Sequence, residues 1–115
     1  MHELGIANSV LEAVRAEMVR RPGARVRSVG LRVGELAGVE IDALRFCFDA
    51  LVHETDLEGA ALEAETCPRR HRCPACAESF VVRDYRTECP RCRNPRTECV
   101  GGTELELSYL ELEES

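Results

Sequence analysis

Two Cys-x-x-Cys turns constrain this chain more than any other feature. Cys73-Pro74-Ala75-Cys76 is followed, after twelve intervening residues, by Cys89-Pro90-Arg91-Cys92. Each such turn aims two thiolates at one point, and two facing turns complete a tetrahedron of sulfur. Zn(II) has no ligand-field preference and accepts that geometry readily. The spacing therefore predicts a structural four-thiolate zinc site at Cys73, Cys76, Cys89 and Cys92. A pair of disulfides or a rubredoxin-like iron site are the alternatives. Both fit less well, because Met1-His2-Glu3 has no signal-peptide character and zinc is the usual occupant of such ribbons. With four protein ligands the site is closed, so it holds shape and performs no hydrolysis.

A chain of 115 residues forms one compact domain, or a small domain carrying a metal-held module. No apolar run is long enough to span a bilayer, and seven cysteines suit a reducing compartment, so the expectation is a soluble cytoplasmic protein with no membrane partner. The formal charge of -6 is unevenly spread. Eight arginines against Glu78, Asp84 and Glu88 give the stretch 69–96 a surplus of five positive charges, which leaves the remainder at -11. That asymmetry points to different partners for the two regions. Lysine is absent throughout.

Leu4, Ala7, Val10, Leu11, Val14 and Met18 recur at helical spacing, and Pro22-Gly23 stops the helix they define. The Met1 amine, the His2 amide and ring nitrogens and the Glu3 amide lie close enough along the chain to supply planar nitrogen ligands, a set diagnostic of Ni(II) or Cu(II). Taken alone, the stretch reads more simply as a frayed terminus. A half-buried strand follows at Val29–Val33, then a glycine-marked turn from Gly34 to Glu40. A second helix over Ile41–His53 carries the stripe Leu44, Cys47, Phe48 and Leu51, with Cys47 a small core residue and His53 near the negative helix end. Leu62–Thr66 alternates as a second strand and Phe80–Val82 reads as a short ribbon strand. Gly101-Gly102 reads as a hinge-like return. A third strand spans Thr103–Leu112, with Leu105, Leu107 and Tyr109 on one face, glutamates on the other, and a shift of apolar phase at Leu110 that predicts a bulge or an exposed end. The expected architecture is α+β: a small three-stranded sheet covered by two helices. The body is residues 1–67 and 102–115, and residues 68–101 are an inserted zinc-ribbon module.

Met1-His2-Glu3-Leu4, Val33-Gly34-Glu35-Leu36-Ala37-Gly38-Val39-Glu40, Leu44-Arg45-Phe46-Cys47-Phe48 and Glu58-Gly59-Ala60 resemble the HypA/HybF hydrogenase nickel-incorporation proteins, and the resemblance extends over essentially the whole chain, two-knuckle module included. It implies a nickel metallochaperone for maturation of [NiFe]-hydrogenase, and in some organisms of urease. It implies weak Ni(II) binding through the backbone of His2 and Glu3 and the His2 ring, with the Met1 amine contributing if unblocked and a carboxylate nearby at Glu40. The partners it implies are the GTPase HypB, the hydrogenase large subunit and, where urease is served, urease maturation proteins. Cys67 and Cys99 depart from the expected ligand set, and either could replace a knuckle thiolate.

An arginine-rich zinc ribbon could instead bind nucleic acid, but the module offers only Phe80 and Tyr85 for base stacking and the body is acidic. Docking on an acidic protein surface suits the same charges. No open metal site, nucleophile–base pair or phosphate loop is visible, so no enzymatic activity is expected.

Overall fold

The computed structural model describes residues 3–114. The elements run α1 (Glu3–Met18), β1 (Ala24–Gly34), α2 (Ile41–Val52), β2 (Ala61–Cys67), β3 (Arg70–Arg72), β4 (Ser79–Val81), β5 (Glu98–Gly101) and β6 (Leu105–Glu114). They form two three-stranded sheets, of order β2-β1-β6 and β4-β3-β5. The expected α+β layout of two helices with a three-stranded sheet is therefore present, and the zinc-ribbon region carries a sheet of its own. By compactness the chain divides into a unit of Met1–Arg32, Gly38–Glu65 and Glu106–Ser115, and a unit of Val33–Ala37 and Thr66–Leu105.

In the first unit the helices pack together through Ile6, Ala7, Val10 and Val14 of α1 and Leu44, Phe48 and Val52 of α2. The buried face of α1 is rotated from the expected stripe: Ile6 is inside, while Leu4 is 56% exposed. Val29, Leu31 and Val33 bury one face of β1, but Ser28 and Gly30 between them are buried too, so the strand is covered on both faces there and not half-buried as its alternation predicts. Arg45 ties α2 to β2 by donating from Nε to the Leu62 carbonyl at 3.0 Å. His53 caps α2, its backbone N–H donating to the Asp49 carbonyl and its ring lying 2.8 Å from Glu58.

β1 and β6 run antiparallel, because contact partners descend along one strand as they ascend along the other. Gly34 meets Glu104, Arg32 meets Glu106 and Ser28 meets Glu111. Glu106 and Glu111 share a face although one number is even and the other odd, so one extra residue enters between them. Burial along β6 agrees: Leu105, Leu107, Leu110 and Leu112 are half-buried, with a step of three between Leu107 and Leu110. The expected bulge is thus real, but it corrects the placement of Tyr109. That residue leaves the Leu105–Leu107 face and lies across Gly30, where any Cβ would meet the ring at 2.1 Å. The Tyr109 hydroxyl donates to Glu63 Oε1 at 3.1 Å, reaching over β1 to β2.

The second unit takes in Val33–Ala37, a turn expected with the body. The reason lies in backbone bonding: Glu35 N–H donates to the Cys67 carbonyl at 2.8 Å and Leu36 N–H to the Gly102 carbonyl at 2.7 Å. Gly102 sits at φ +112° with its would-be Cβ 2.8 Å from the Arg69 Cα, so the return is closely packed.

Candidate metal centre

Each cysteine turn is built the same way. Cys73 N–H donates to the Glu78 carbonyl at 2.8 Å and Ala77 N–H to the Cys73 carbonyl at 2.8 Å; Cys89 N–H donates to the Asn94 carbonyl at 2.9 Å and Arg93 N–H to the Cys89 carbonyl at 2.9 Å. To close the ring, the residue after each second cysteine turns left-handed, at φ 66° for Ala77 and φ 67° for Arg93. Glycine is the usual residue there, and neither position has it. These two residues escape sequence reasoning for that reason.

The turns bring the sulfurs of Cys73, Cys76, Cys89 and Cys92 within 4.8 Å of one another. Cys73 and Cys92 lie 3.6 Å apart, as do Cys76 and Cys89. A tetrahedron with Zn–S bonds of about 2.3 Å has edges of about 3.8 Å, whereas a disulfide needs about 2.05 Å. The spacing fits four ligands around one cation. Cys67 is buried and Cys99 exposed, and neither belongs to the cluster.

The thiols themselves favour a cation. Burial pushes Cys73 up, but backbone N–H groups of Cys76 and Ala75, helped by Cys92 and Asn94, bring it down to about 6. A backbone bond at Cys92 likewise lowers Cys89 against burial. The Glu78 backbone pulls Cys76 down, yet burial and the neighbouring sulfurs outweigh it and push that thiol up to about 12. At Cys92 the Asn94 backbone lowers the thiol, but Cys73 and burial outweigh it and leave it raised. Two of the thiols are thus lowered and two raised, as expected where four neighbouring thiolates would repel one another. A dication at the centre removes that conflict and displaces the remaining protons. Asn94 Nδ2 and the Cys92 N–H point at Cys73 and Cys89 sulfur at 3.6 and 3.4 Å, orienting the ligands.

A buried histidine braces the same module. Arg69 Nε donates to His71 Nε2 at 3.1 Å, which leaves the proton on Nδ1, 2.9 Å from Thr97 Oγ1; the Thr97 hydroxyl in turn donates to the Thr87 carbonyl. Burial, and secondarily the Arg69 charge, hold the imidazole below its ordinary range. The sequence hides this residue between Arg70 and Arg72, in a strand with no apolar alternation.

Of the terminal nitrogen set, Met1 and His2 lie outside the described residues. Glu3 is described, and its Oε2 accepts a hydrogen bond from the Glu40 N–H at 3.1 Å. Glu40 is the N-cap of α2 and receives no cap from its own side chain. Glu3 thereby satisfies a backbone donor at the helix entrance and joins the start of α1 to the start of α2. No helix among the described residues is long and apolar enough to cross a membrane.

Residues 1–112 match the family described as hydrogenase/urease nickel incorporation, metallochaperone, HypA. The hydrogenase maturation factor HypA of Chlorobaculum parvum is 40% identical over 114 residues, covering 98% of this chain and 100% of that protein. The Geobacter metallireducens protein of the same name is 42% identical over 113 residues, with coverage of 98% and 100%. Among solved structures, a HypA protein in solution superposes with a TM-score of 0.76 at 19% identity, covering 100% of this chain and 98% of the other. The nickel metallochaperone HypA of Helicobacter pylori superposes with a TM-score of 0.66 at 21% identity and full coverage of both chains. The structural likenesses speak for the fold.

Proposed function

The chain belongs to the HypA family of nickel-incorporation metallochaperones, and from that premise we propose that it binds Ni(II) at its amino terminus and delivers it during maturation of a [NiFe]-hydrogenase. The Met1 amine, the His2 amide and ring and the Glu3 amide provide the nitrogen donors, whose five- and six-membered chelate rings suit a planar Ni(II) ion. The observation that carries the reading is the bond from Glu40 N–H to Glu3 Oε2, which keeps the third residue of the chain beside the entrance of α2. In this reading the Glu40 carboxylate would balance the charge of the bound ion more than set its plane.

Such a site releases its cargo easily. The ring and amides must lose protons to bind, so affinity falls steeply as pH drops through the histidine range. Cys73, Cys76, Cys89 and Cys92 hold Zn(II), which fixes the module's shape and takes no part in transfer. The receiving proteins are a HypB-type GTPase and the hydrogenase large subunit, with urease maturation proteins a second destination. The role is carriage without catalysis, in the reducing cytoplasm that free thiols require.

Ni(II) titration of the untagged, zinc-loaded protein tests this reading. One yellow, low-spin Ni(II) is expected, weakened by His2→Ala, by acetylation of the Met1 amine and by any tag fused ahead of Met1, and less by Glu40→Ala. Equal nickel affinity in the His2→Ala protein overturns the terminal site.

A further inference from the structure

β4 is an edge of the β4-β3-β5 sheet, and its residues Ser79–Val81 line a groove of about 580 Å3 together with Arg70, Arg83, Arg86, Glu88, Pro90 and Arg93. We propose that this groove docks an extended acidic segment of a partner protein, which adds as a strand to Ser79–Val81 while the arginines hold its carboxylates.

The backbone supplies the first half of the case. Val82 N–H is bonded to the Arg69 carbonyl at 2.9 Å, and the Glu78 carbonyl accepts from Cys73 N–H at 2.8 Å. Both groups point inward, so the alternation of an antiparallel ladder turns the N–H and C=O groups of Ser79 and Val81 outward. An edge of this kind pairs with another extended backbone.

Charge supplies the second half. Among the described residues Arg70, Arg83 and Arg86 make no ion pair, and Arg93 has only Glu88 at 3.8 Å. Arg83 and Arg86 form a cross-strand bridge, which places two like charges directly opposite each other, an unfavourable arrangement until an anion joins them. The turn between them is tight. Arg86 N–H donates to the Arg83 carbonyl at 3.0 Å, and Asp84 and Tyr85 both take positive φ, 53° and 61°. That pattern is a primed hairpin turn whose second position favours glycine, and here it carries a tyrosine that is 92% exposed. A strained turn that fixes two uncompensated arginines at a groove mouth is the kind of outlier that marks a binding site.

A protein segment fits better than nucleic acid. Glu88 sits among the arginines of the groove, and the stretch 69–96 offers only Phe80 and Tyr85 for the base stacking that single-stranded nucleic acid needs. A strand edge also offers backbone groups that a nucleic acid cannot pair. The proposal makes no use of nickel.

Fluorescence anisotropy of the full-length zinc-loaded protein, without nickel, tests it. The probe is a labelled seven-residue peptide alternating Glu and Val; the comparison probes are its Gln-for-Glu counterpart, a version N-methylated at alternate residues, and an oligothymidylate. Saturable binding is expected that weakens with salt, and about ten-fold or more upon Gln replacement, N-methylation, or the double change Arg83→Gln with Arg86→Gln, the scale of one lost charge-assisted contact. Zinc content and urea midpoint of the double variant report whether the module is intact, and removal of the opposed charges should leave that midpoint equal or higher. The proposal is overturned if the acidic peptide fails to bind, if the N-methylated peptide or the intact double variant binds equally well, or if the oligothymidylate binds more tightly.

Discussion

Gly34 lies directly against Gly102: a Cβ on Gly34 would stand 2.1 Å from the Gly102 carbonyl oxygen. That oxygen is also the acceptor for the Leu36 N–H at 2.7 Å, so moving it away from a new Cβ would strain or break that bond. Gly34→Ala is therefore expected to destabilise the protein by about 2–3 kcal/mol, the range of a forced overpacking. The urea midpoint of the zinc-loaded protein measures it. A midpoint unchanged from wild type would show that the carbonyl can move.

Ala77 and Arg93 hold left-handed positions that cost a Cβ-bearing residue about 1–2 kcal/mol, offset in part by the chain freedom that glycine would lose. Both are exposed, so their side chains contribute little packing. Ala77→Gly and Arg93→Gly should each leave melting temperature unchanged or raise stability by up to about 1 kcal/mol. Ala77→Val should lower it, because a branched side chain tolerates that backbone worst.

Cys89→Ala should release most of the zinc and loosen residues of the second unit, while far-UV signal from α1 and α2 persists, since their own apolar faces pack together. Cys99→Ala should retain one zinc per chain, because Cys99 stands outside the sulfur cluster. Metal analysis after gel filtration distinguishes the two. Full zinc in Cys89→Ala protein would assign a ligand elsewhere.

Tyr109 should ionise above the ordinary phenol range. Burial is the largest cause; the bond to Glu63 and the Glu63 and Glu111 carboxylates add to it, and Ser28 opposes them. A raised folded-state value means that the stabilisation is fully present below pH 10, the ordinary value, and is lost as pH rises through the folded value. Alkaline absorbance titration should show a late phenolate step that Tyr109→Phe removes. A titration curve whose late portion survives that change would contradict the Glu63 contact.

The paired cysteine turns made the metal cluster legible because their spacing alone closes a tetrahedron. The shift of apolar phase near Leu110 made the bulge legible too, but not its consequence for Tyr109, which depends on the empty space above Gly30. His71 and the strands at Arg70–Arg72 and Glu98–Gly101 were illegible for a different reason. They are short, flanked by charge and stabilised by hydrogen bonds and the cysteine cluster instead of an apolar stripe. The attachment of Val33–Ala37 to the second unit rests on backbone bonds to Cys67 and Gly102, and backbone bonding leaves no mark on side-chain pattern.

The bulge in β6 bears on how copies of this protein behave at high concentration. A ten-residue strand at a sheet edge is a template for pairing with its twin in another molecule. The extra residue between Glu106 and Glu111 breaks the regular backbone ladder that such pairing needs. Glutamates at positions 104, 106, 111, 113 and 114 would also confront one another across any such seam. The irregularity that redirects Tyr109 thus also disfavours edge-to-edge pairing, and a variant that straightened β6 and neutralised those glutamates is expected to self-associate more readily than the natural chain, as light scattering at matched concentration would show.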